Sequence, residues 1–583
     1  MQRFKLLNLA LACALLSNFP AATTTASAQQ TRPAGAGTGT AAAATTTAAA
    51  PSAALPAAAL ADAATITAAR LSEYLHVVAS DAMGGRDTPS KGLDDTAKFL
   101  ADHLARLKVK PAGDDGTYYQ KIELVSFKVD PVKSSARLGD RSYKFGEDFL
   151  AGTASGSASG ALVYAGHGYV VKSKNINAYS GLDVRNKIVV AAAGVLPQSV
   201  ARGELKGKAG EGDWEDAESY ARKNGAKGLI RIPRNFDRIW RFGRFAAGRD
   251  NYQVARFMPG GGGAGDAGSN TNSGGGGELP TILPSAALLD ALFAGEKRAG
   301  ADLLKGISAG DAGEPFSFDA KKRAEFTVSV ASNKAMTQNV VGVLEGSDSV
   351  LKNEYVAIGA HYDHVGTGQP ANGDAIYNGA DDDGSGTVGV LAIAEALARG
   401  ARPKRSVLFV WHCAEEKGLW GSQYFTKFPT IPLAQIVAQL NMDMIGRSKK
   451  EGDTNQANRD LSGPNEIHVI GSKIMSTELG ELSERVNRAY LNLTFNYKYD
   501  DPADPNRFFF RSDHYNYARN GVPIIFYFDG VHEDYHRPSD SPDKIDYQKM
   551  EKITRTVFLT TLELANTPTR PRVDKQLPAQ LIQ

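Results

Sequence analysis

The chain of 583 residues carries 66 basic against 64 acidic side chains, a net charge of +2, and 42% hydrophobic residues. That length exceeds one ordinary core, so two or three domains are expected, with the apolar content of a soluble rather than a membrane-spanning chain. The near balance of charge contains no basic block of the kind that marks a nucleic-acid or membrane surface, so neither partner is expected, and charge names no other.

Residues 1–28 read as a secretory signal: Arg3 and Lys5, the apolar run LLNLALACALL, then ASA ending at Ala28. The mature chain is therefore expected to be exported, periplasmic or secreted. Cys13 lies inside the apolar run without the lipoprotein pattern, so lipid anchoring is not expected. Cleavage would leave Cys413 alone, which allows no internal disulfide. Residues 29–62 are nearly all Ala, Thr, Gly and Pro and predict a disordered spacer.

Helical apolar spacing begins with Ile66, Leu71, Leu75 and Val78, and returns over 92–109. The turn-rich AMGGRDTPSK separates these two amphipathic helices. His76 and His103 read as helix-surface or core-edge histidines. From 126 to 335 short β-rich runs separated by turns predict a separate mixed domain, with His167 at a strand end or loop. Within it PGGGGAGDAGSNTNSGGGG, 259–277, has the composition of a flexible loop and lacks the Lys-Ser/Thr ending of a phosphate cradle.

From 336 onward strands alternate with helices, ending in a helix near 547–565. This order predicts an α/β fold: a mainly parallel, mixed sheet covered by helices on both faces. Ligands of such sheets bind beyond the carboxyl ends of the strands, and there the chain places its least apolar residues. EYVAIGA ends in His361, SVLFVWHCA leads into Glu415 and Glu416, and IVAQLNMDMIG carries Asp443. VPIIFYF is followed by His532 and His536, and the acidic loop Asp381, Asp382, Asp383 adds a fifth segment. Imidazole and carboxylate donors without thiolate suit a catalytic zinc site, with cobalt or manganese as substitutes. Two His and three carboxylates exceed what one tetrahedral ion needs, and fit a pair of ions sharing a carboxylate and a water.

These motifs resemble metallopeptidase family 28, the two-zinc aminopeptidases. A His-x-Asp segment, an Asp-x-x-Ser-Gly segment, a Glu-Glu pair, a lone Asp and a late His follow one another in order, over 63–125 and 336–566. The segment 126–335, with YSGLDVRNKIVV and AESYARKNGAKGLI, resembles the protease-associated domain inserted in some members, and 567–583 remains as a C-terminal tail. By this resemblance His361 and Asp443 hold one zinc, Glu416 and His536 the other, and Asp382 bridges both. Asp363 orients the His361 ring, Glu415 is the general base of a metal-bridging hydroxide, and a cis peptide joins Asp382 to Asp383. Asp513 and His514 fall near substrate, while His364 and His412 read as supporting or packing residues. The implied activity is release of N-terminal residues from peptide substrates. A glutamate-releasing carboxypeptidase shares the motifs, a one-zinc glutaminyl cyclase lacks the full ligand set, and a receptor-like binding protein has an eroded one. Neither side-chain preference nor oligomeric state is legible.

Overall fold

The computed structural model describes residues 54–207, 209–258 and 279–582. The expected signal over 1–28, most of the spacer and the glycine-rich segment 259–277 lie outside the described residues. Contacts divide the chain into one unit running to Ile122 and resuming at Met336, and a second unit, Glu123–Ala335.

In the first unit the sheet is built from β1 (Val330–Leu344), which returns the chain from the second unit, β2 (Tyr355–His361), β3 (Ser406–His412), β4 (Ile436–Met442), β5 (Glu466–Ile470), β6 (Thr494–Asn496) and β7 (Ile524–Phe528). Its spatial order is β1-β3-β2-β4-β7-β5-β6. The middle strands β3, β2, β4 and β7 are parallel, with antiparallel steps at β1–β3 and β7–β5. β3 and β4 are buried along their whole length and β2 from Val356 onward, as continuous apolar runs covered on both faces require. Alternation along β3 shows both layers. Leu408 and Val410 join the cluster containing Phe425 and Tyr517. On the other face the Trp411 indole donates to the Thr387 carbonyl at 3.0 Å.

Phe425 belongs to α5 (Trp420–Lys427) and Tyr517 to α7 (His514–Ala518), whereas Thr387 belongs to α4 (Gly386–Arg399). The α4 face also carries α2 (Ala68–Val78) and α8 (Tyr547–Asn566), with α6 (Thr477–Ala489) against α8. α3 (Lys91–Arg106) is capped by Ser90, whose hydroxyl accepts the Leu93 N–H at 3.1 Å. The end of the expected spacer is ordered instead: α1 (Ala57–Ala64) lies on α8 and α4 with Ala59 and Ala63 buried. Alanine is the best helix former, and a waiting apolar face lets its propensity overcome low complexity. The tail beyond α8 also docks, burying Leu581 and pairing Arg570 with Glu354 at 2.7 Å.

The second unit has its own sheet, whose parallel centre runs Gly156–Tyr164, Ile188–Ala193, Gly228–Pro233 and Thr281–Pro284. Its core gathers Tyr164, Ile230, Phe293 and Phe318. No described helix in either unit is long and apolar enough to cross a membrane.

Candidate metal centre

Each of the four central parallel strands of the first unit delivers a polar group at its carboxyl end. β2 ends on His361 itself, and Asp363 and His364 follow within three residues. β3 runs into Glu415 and Glu416, β4 into Asp443, and β7 into the loop carrying His532 and His536. The acidic loop precedes α4. Three of these segments turn sharply through left-handed residues with a Cβ: Ala414 (φ 55°), Met444 (φ 55°) and His536 (φ 53°). Such conformations cost about 1–3 kcal/mol each and persist where surrounding structure dictates them.

The three consecutive carboxylates divide the work. Asp383 is saturated by backbone donors, taking His361 N–H on one oxygen at 3.1 Å and Gly386 and Met444 N–H on the other at 2.9 and 3.2 Å. Asp381 accepts the Gly446 N–H at 2.7 Å. Asp383 thereby ties β2, α4 and the loop after β4 together, and Asp381 adds a second tie to that loop. Asp382 alone is turned into the cluster, and its two oxygens face different histidines. Oδ1 is 3.3 Å from His361 Nε2, and Oδ2 is 3.0 Å from His536 Nε2. The Asp382–Asp383 peptide is cis.

Around Asp382 the donors form two groups. Asp443 Oδ1 lies 3.6 Å from His361 Nε2. On the other side Glu416 Oε1 lies 3.1 Å from His536 Nε2 and 2.9 Å from His364 Nδ1. The second group, His364, Asp382, Glu416 and His536, brings its ligand atoms within 4.8 Å of one another. Asp383 also comes that close to His361 and Asp443, yet its oxygens are spent on N–H groups, so Asp382 is the carboxylate offered to both sides. His364 is the residue that sequence reasoning placed in a supporting role. Its signal was the HYDH spacing, which sets a second imidazole three residues beyond the strand end.

Several of these atoms are buried and close without hydrogen-bonding: Asp382 Oδ2, Glu416 Oε1 and both His364 ring nitrogens have no hydrogen-bond partner. Nitrogen lone pairs and carboxylate oxygens that converge in this way satisfy a cation, and the N/O donor set fits zinc. Electrostatics agree. Burial opposes charge on His361, but Asp443 and Glu415 raise it well above the imidazole range. Burial likewise opposes ionisation of Asp382 and Glu416. His361, His364 and His536 hold Asp382 well below the carboxylate range, and His536 and His364 bring Glu416 down to about 2.

Glu415 differs from its neighbour. Burial, reinforced by Glu416 and Asp443 against the pull of His361, raises its carboxyl well above the usual range. Its Oε2 is 4.0 Å from His361 Nε2, and it lines a recess with His361, Asp382 and Asp443. The recess wall is apolar and aromatic, Phe508, Phe526, Phe528 and Val531, with Arg511 and Tyr535 beside it. Tyr535 stacks on His536 at 3.9 Å between ring centres.

Asp363 stands against the His361 ring, its Oδ1 3.6 Å from Nδ1. The His361 Nδ1–H donates to the Asp363 carbonyl at 3.2 Å, which turns Nε2 toward the cluster. The Asp363 carboxylate also accepts the Glu415 and Glu416 N–H groups at 3.0 and 3.4 Å, aligning that pair. His532 faces away, with Nε2 3.2 Å from Asp381. His514 is not at the recess: it is fully buried, stacked on Phe526 at 4.4 Å. His412 pairs with Asp513 at 3.4 Å and with the Tyr517 hydroxyl at 3.0 Å.

Residues 339–561 match the description Peptidase family M28. Leucine aminopeptidase 2 of Arthroderma otae is 27% identical over 301 residues, covering 46% of this chain and 54% of that protein. Its counterpart from Trichophyton rubrum is 26% identical over the same shares. The chain thus spans about half the length of the curated relatives it matches. Among solved structures, the aminopeptidase from Aneurinibacillus sp. strain AM-1 superposes with a TM-score of 0.51 at 16% identity, over 89% of this chain and 98% of that one, a likeness of fold. The matched residues 339–561 contain every member of the cluster around Asp382, so the site lies within the part of the chain that is similar to peptidase family M28.

Proposed function

We propose that this chain is an exported, two-zinc aminopeptidase that releases N-terminal residues from peptides. The observation that carries the reading is the Asp382 carboxylate, with one oxygen toward His361 and the other toward His536. His361 and Asp443 would hold one ion and Glu416 and His536 the other, with His364 directed at Glu416. Bound zinc supplies a Lewis acid and lowers the pKa of water toward neutrality.

The remaining steps belong to the chain. Glu415, buried at the recess, takes the proton of the attacking water and returns it to the leaving amine. Asp363 fixes the backbone of Glu415, and its carbonyl fixes the His361 tautomer. Phe508, Phe526, Phe528 and Val531 exclude water and accommodate an apolar N-terminal side chain, in keeping with relatives named leucine aminopeptidases. We read the unit Glu123–Ala335 as a protease-associated domain, on the motifs quoted above.

Arg511, in the recess wall, favours a second reading, a carboxypeptidase that pairs a substrate carboxylate with this cation. Hydrolysis of aminoacyl reporters with free N-termini, beside N-blocked and C-terminal reporters, separates the two. Release only from free N-termini supports the aminopeptidase. Release that requires a free C-terminus replaces it with the carboxypeptidase.

A further inference from the structure

We propose that Arg86 is a positioning residue of the metal centre, holding in register the two loops that carry His361 to His364 and Asp381 to Asp383. The proposal rests on the metal reading of the site. Arg86 lies in the AMGGRDTPSK turn between α2 and α3, far in sequence from every ligand.

Its side chain is 0% exposed. Nε donates to the Tyr362 carbonyl at 2.9 Å, Nη1 to the carbonyls of Val78 and Asn378 at 2.9 and 2.6 Å, and Nη2 to that of Gly379 at 2.8 Å. One guanidinium thus joins three segments: the end of α2, the residue after His361, and the two residues before Ala380. The backbone repeats the connection. The Arg86 carbonyl accepts the His364 N–H at 3.1 Å, and the Gly85 carbonyl accepts that of Gly366 at 2.9 Å. Gly85, at φ 72°, permits this approach, since a Cβ there would sit 2.4 Å from the Gly366 carbonyl oxygen and 2.6 Å from that of Tyr377.

A buried cation whose hydrogen bonds go to carbonyls needs a reason to be charged. The charges acting on Arg86 are those of Asp363, Asp382, Asp383 and Asp540, the carboxylates of the metal loops and their support. The guanidinium therefore offsets carboxylate repulsion from behind while fixing the loop geometry. Arginine suits this because its planar fork presents five donors in fixed directions, whereas the lysine ammonium is a single point.

The test is zinc affinity, measured by competition with a chelator, for the wild-type chain, Arg86→Ala and Arg86→Lys. Removing groups that orient ligands typically costs about 10–100-fold in metal affinity, and both variants are expected in that range. Millimolar guanidinium should restore zinc binding to Arg86→Ala but leave Arg86→Lys unchanged, and equal sodium chloride should restore neither. A folded Arg86→Ala with wild-type affinity, or one that guanidinium does not rescue, overturns the proposal. If Arg86→Ala does not fold, Arg86→Lys decides: wild-type zinc affinity in that variant overturns it. A wild-type chain that binds no zinc removes the metal reading itself.

Discussion

The Asp540 carboxylate accepts the backbone N–H of Asp382 at 3.2 Å, and that of Asp381 at 3.0 Å. Asp540 lies four residues beyond His536, so this contact couples the two segments that meet at the shared carboxylate. Asp540→Asn keeps the volume but exchanges the charged acceptor for a weaker one. Zinc affinity should fall by about 10-fold or more while the melting temperature of the metal-free protein changes little. Unchanged affinity would show that the two loops hold their positions without it.

Asp382→Asn and Glu415→Gln should separate ligand from base. The first removes the charge shared by both donor groups, so zinc content and turnover should fall together. The second should leave zinc bound and slow turnover by about 10²- to 10⁴-fold, the usual contribution of general base catalysis. Loss of zinc from Glu415→Gln, or near-full activity in it, would reverse the roles of Glu415 and Glu416. Metal analysis beside steady-state kinetics reads both outcomes.

Gly386 opens α4 at an ordinary φ of −66°, so its requirement is space. A Cβ there would lie 2.2 Å from the Met442 carbonyl oxygen and 2.5 Å from Asp383 Oδ1. Gly386→Ala must therefore push α4 from the end of β4 and release Asp383 from its three N–H donors. Lower thermal stability and weaker zinc binding are expected together. An Ala variant with wild-type values for both would show that the strand ends yield more readily than this packing allows.

Asp500 gives a pH dependence outside the metal site. Burial raises its carboxyl to about 6, although the Gly471 N–H, 2.6 Å away, favours ionisation. A raised folded-state value means that the folded chain binds the proton more tightly than the unfolded chain. Its stabilising contribution is full below the unfolded value near 4 and is lost as the pH rises through about 6. Asp500→Asn should remove that decline, with a gain at pH 7 of up to about 3 kcal/mol, less for its partial exposure. Denaturant midpoints of the metal-free proteins at pH 4.5 and 7.5 measure it. An equal decline in both proteins would assign the pH effect elsewhere.

Much of this architecture is legible in residue order. Buried apolar runs such as EYVAIGA and SVLFVWH cannot sit at a wet surface, and their polar endings mark one sheet edge. The motif resemblance singles out Asp382 as the shared carboxylate; what residue order could not supply was how the fold occupies Asp381 and Asp383. It depends on N–H donors from Gly386, Met444 and Gly446 and on Asp540, brought together only by the fold. The same holds for His364, whose ring faces Glu416 because the backbone after β2 is pinned by Arg86. The helix Ala57–Ala64 was hidden for another reason: composition reports the cost of ordering alanine, and the docking face that offsets it lies on α8, nearly 500 residues away.

Anomalous scattering at the zinc edge from crystals of the zinc-loaded protein tests the central claim most directly. Two peaks are expected, one on each side of the Asp382 carboxylate, the first against His361 and Asp443 and the second against Glu416 and His536. A single peak, or an Asp382 that touches only one of two ions, would contradict the shared-carboxylate centre on which the proposed function stands.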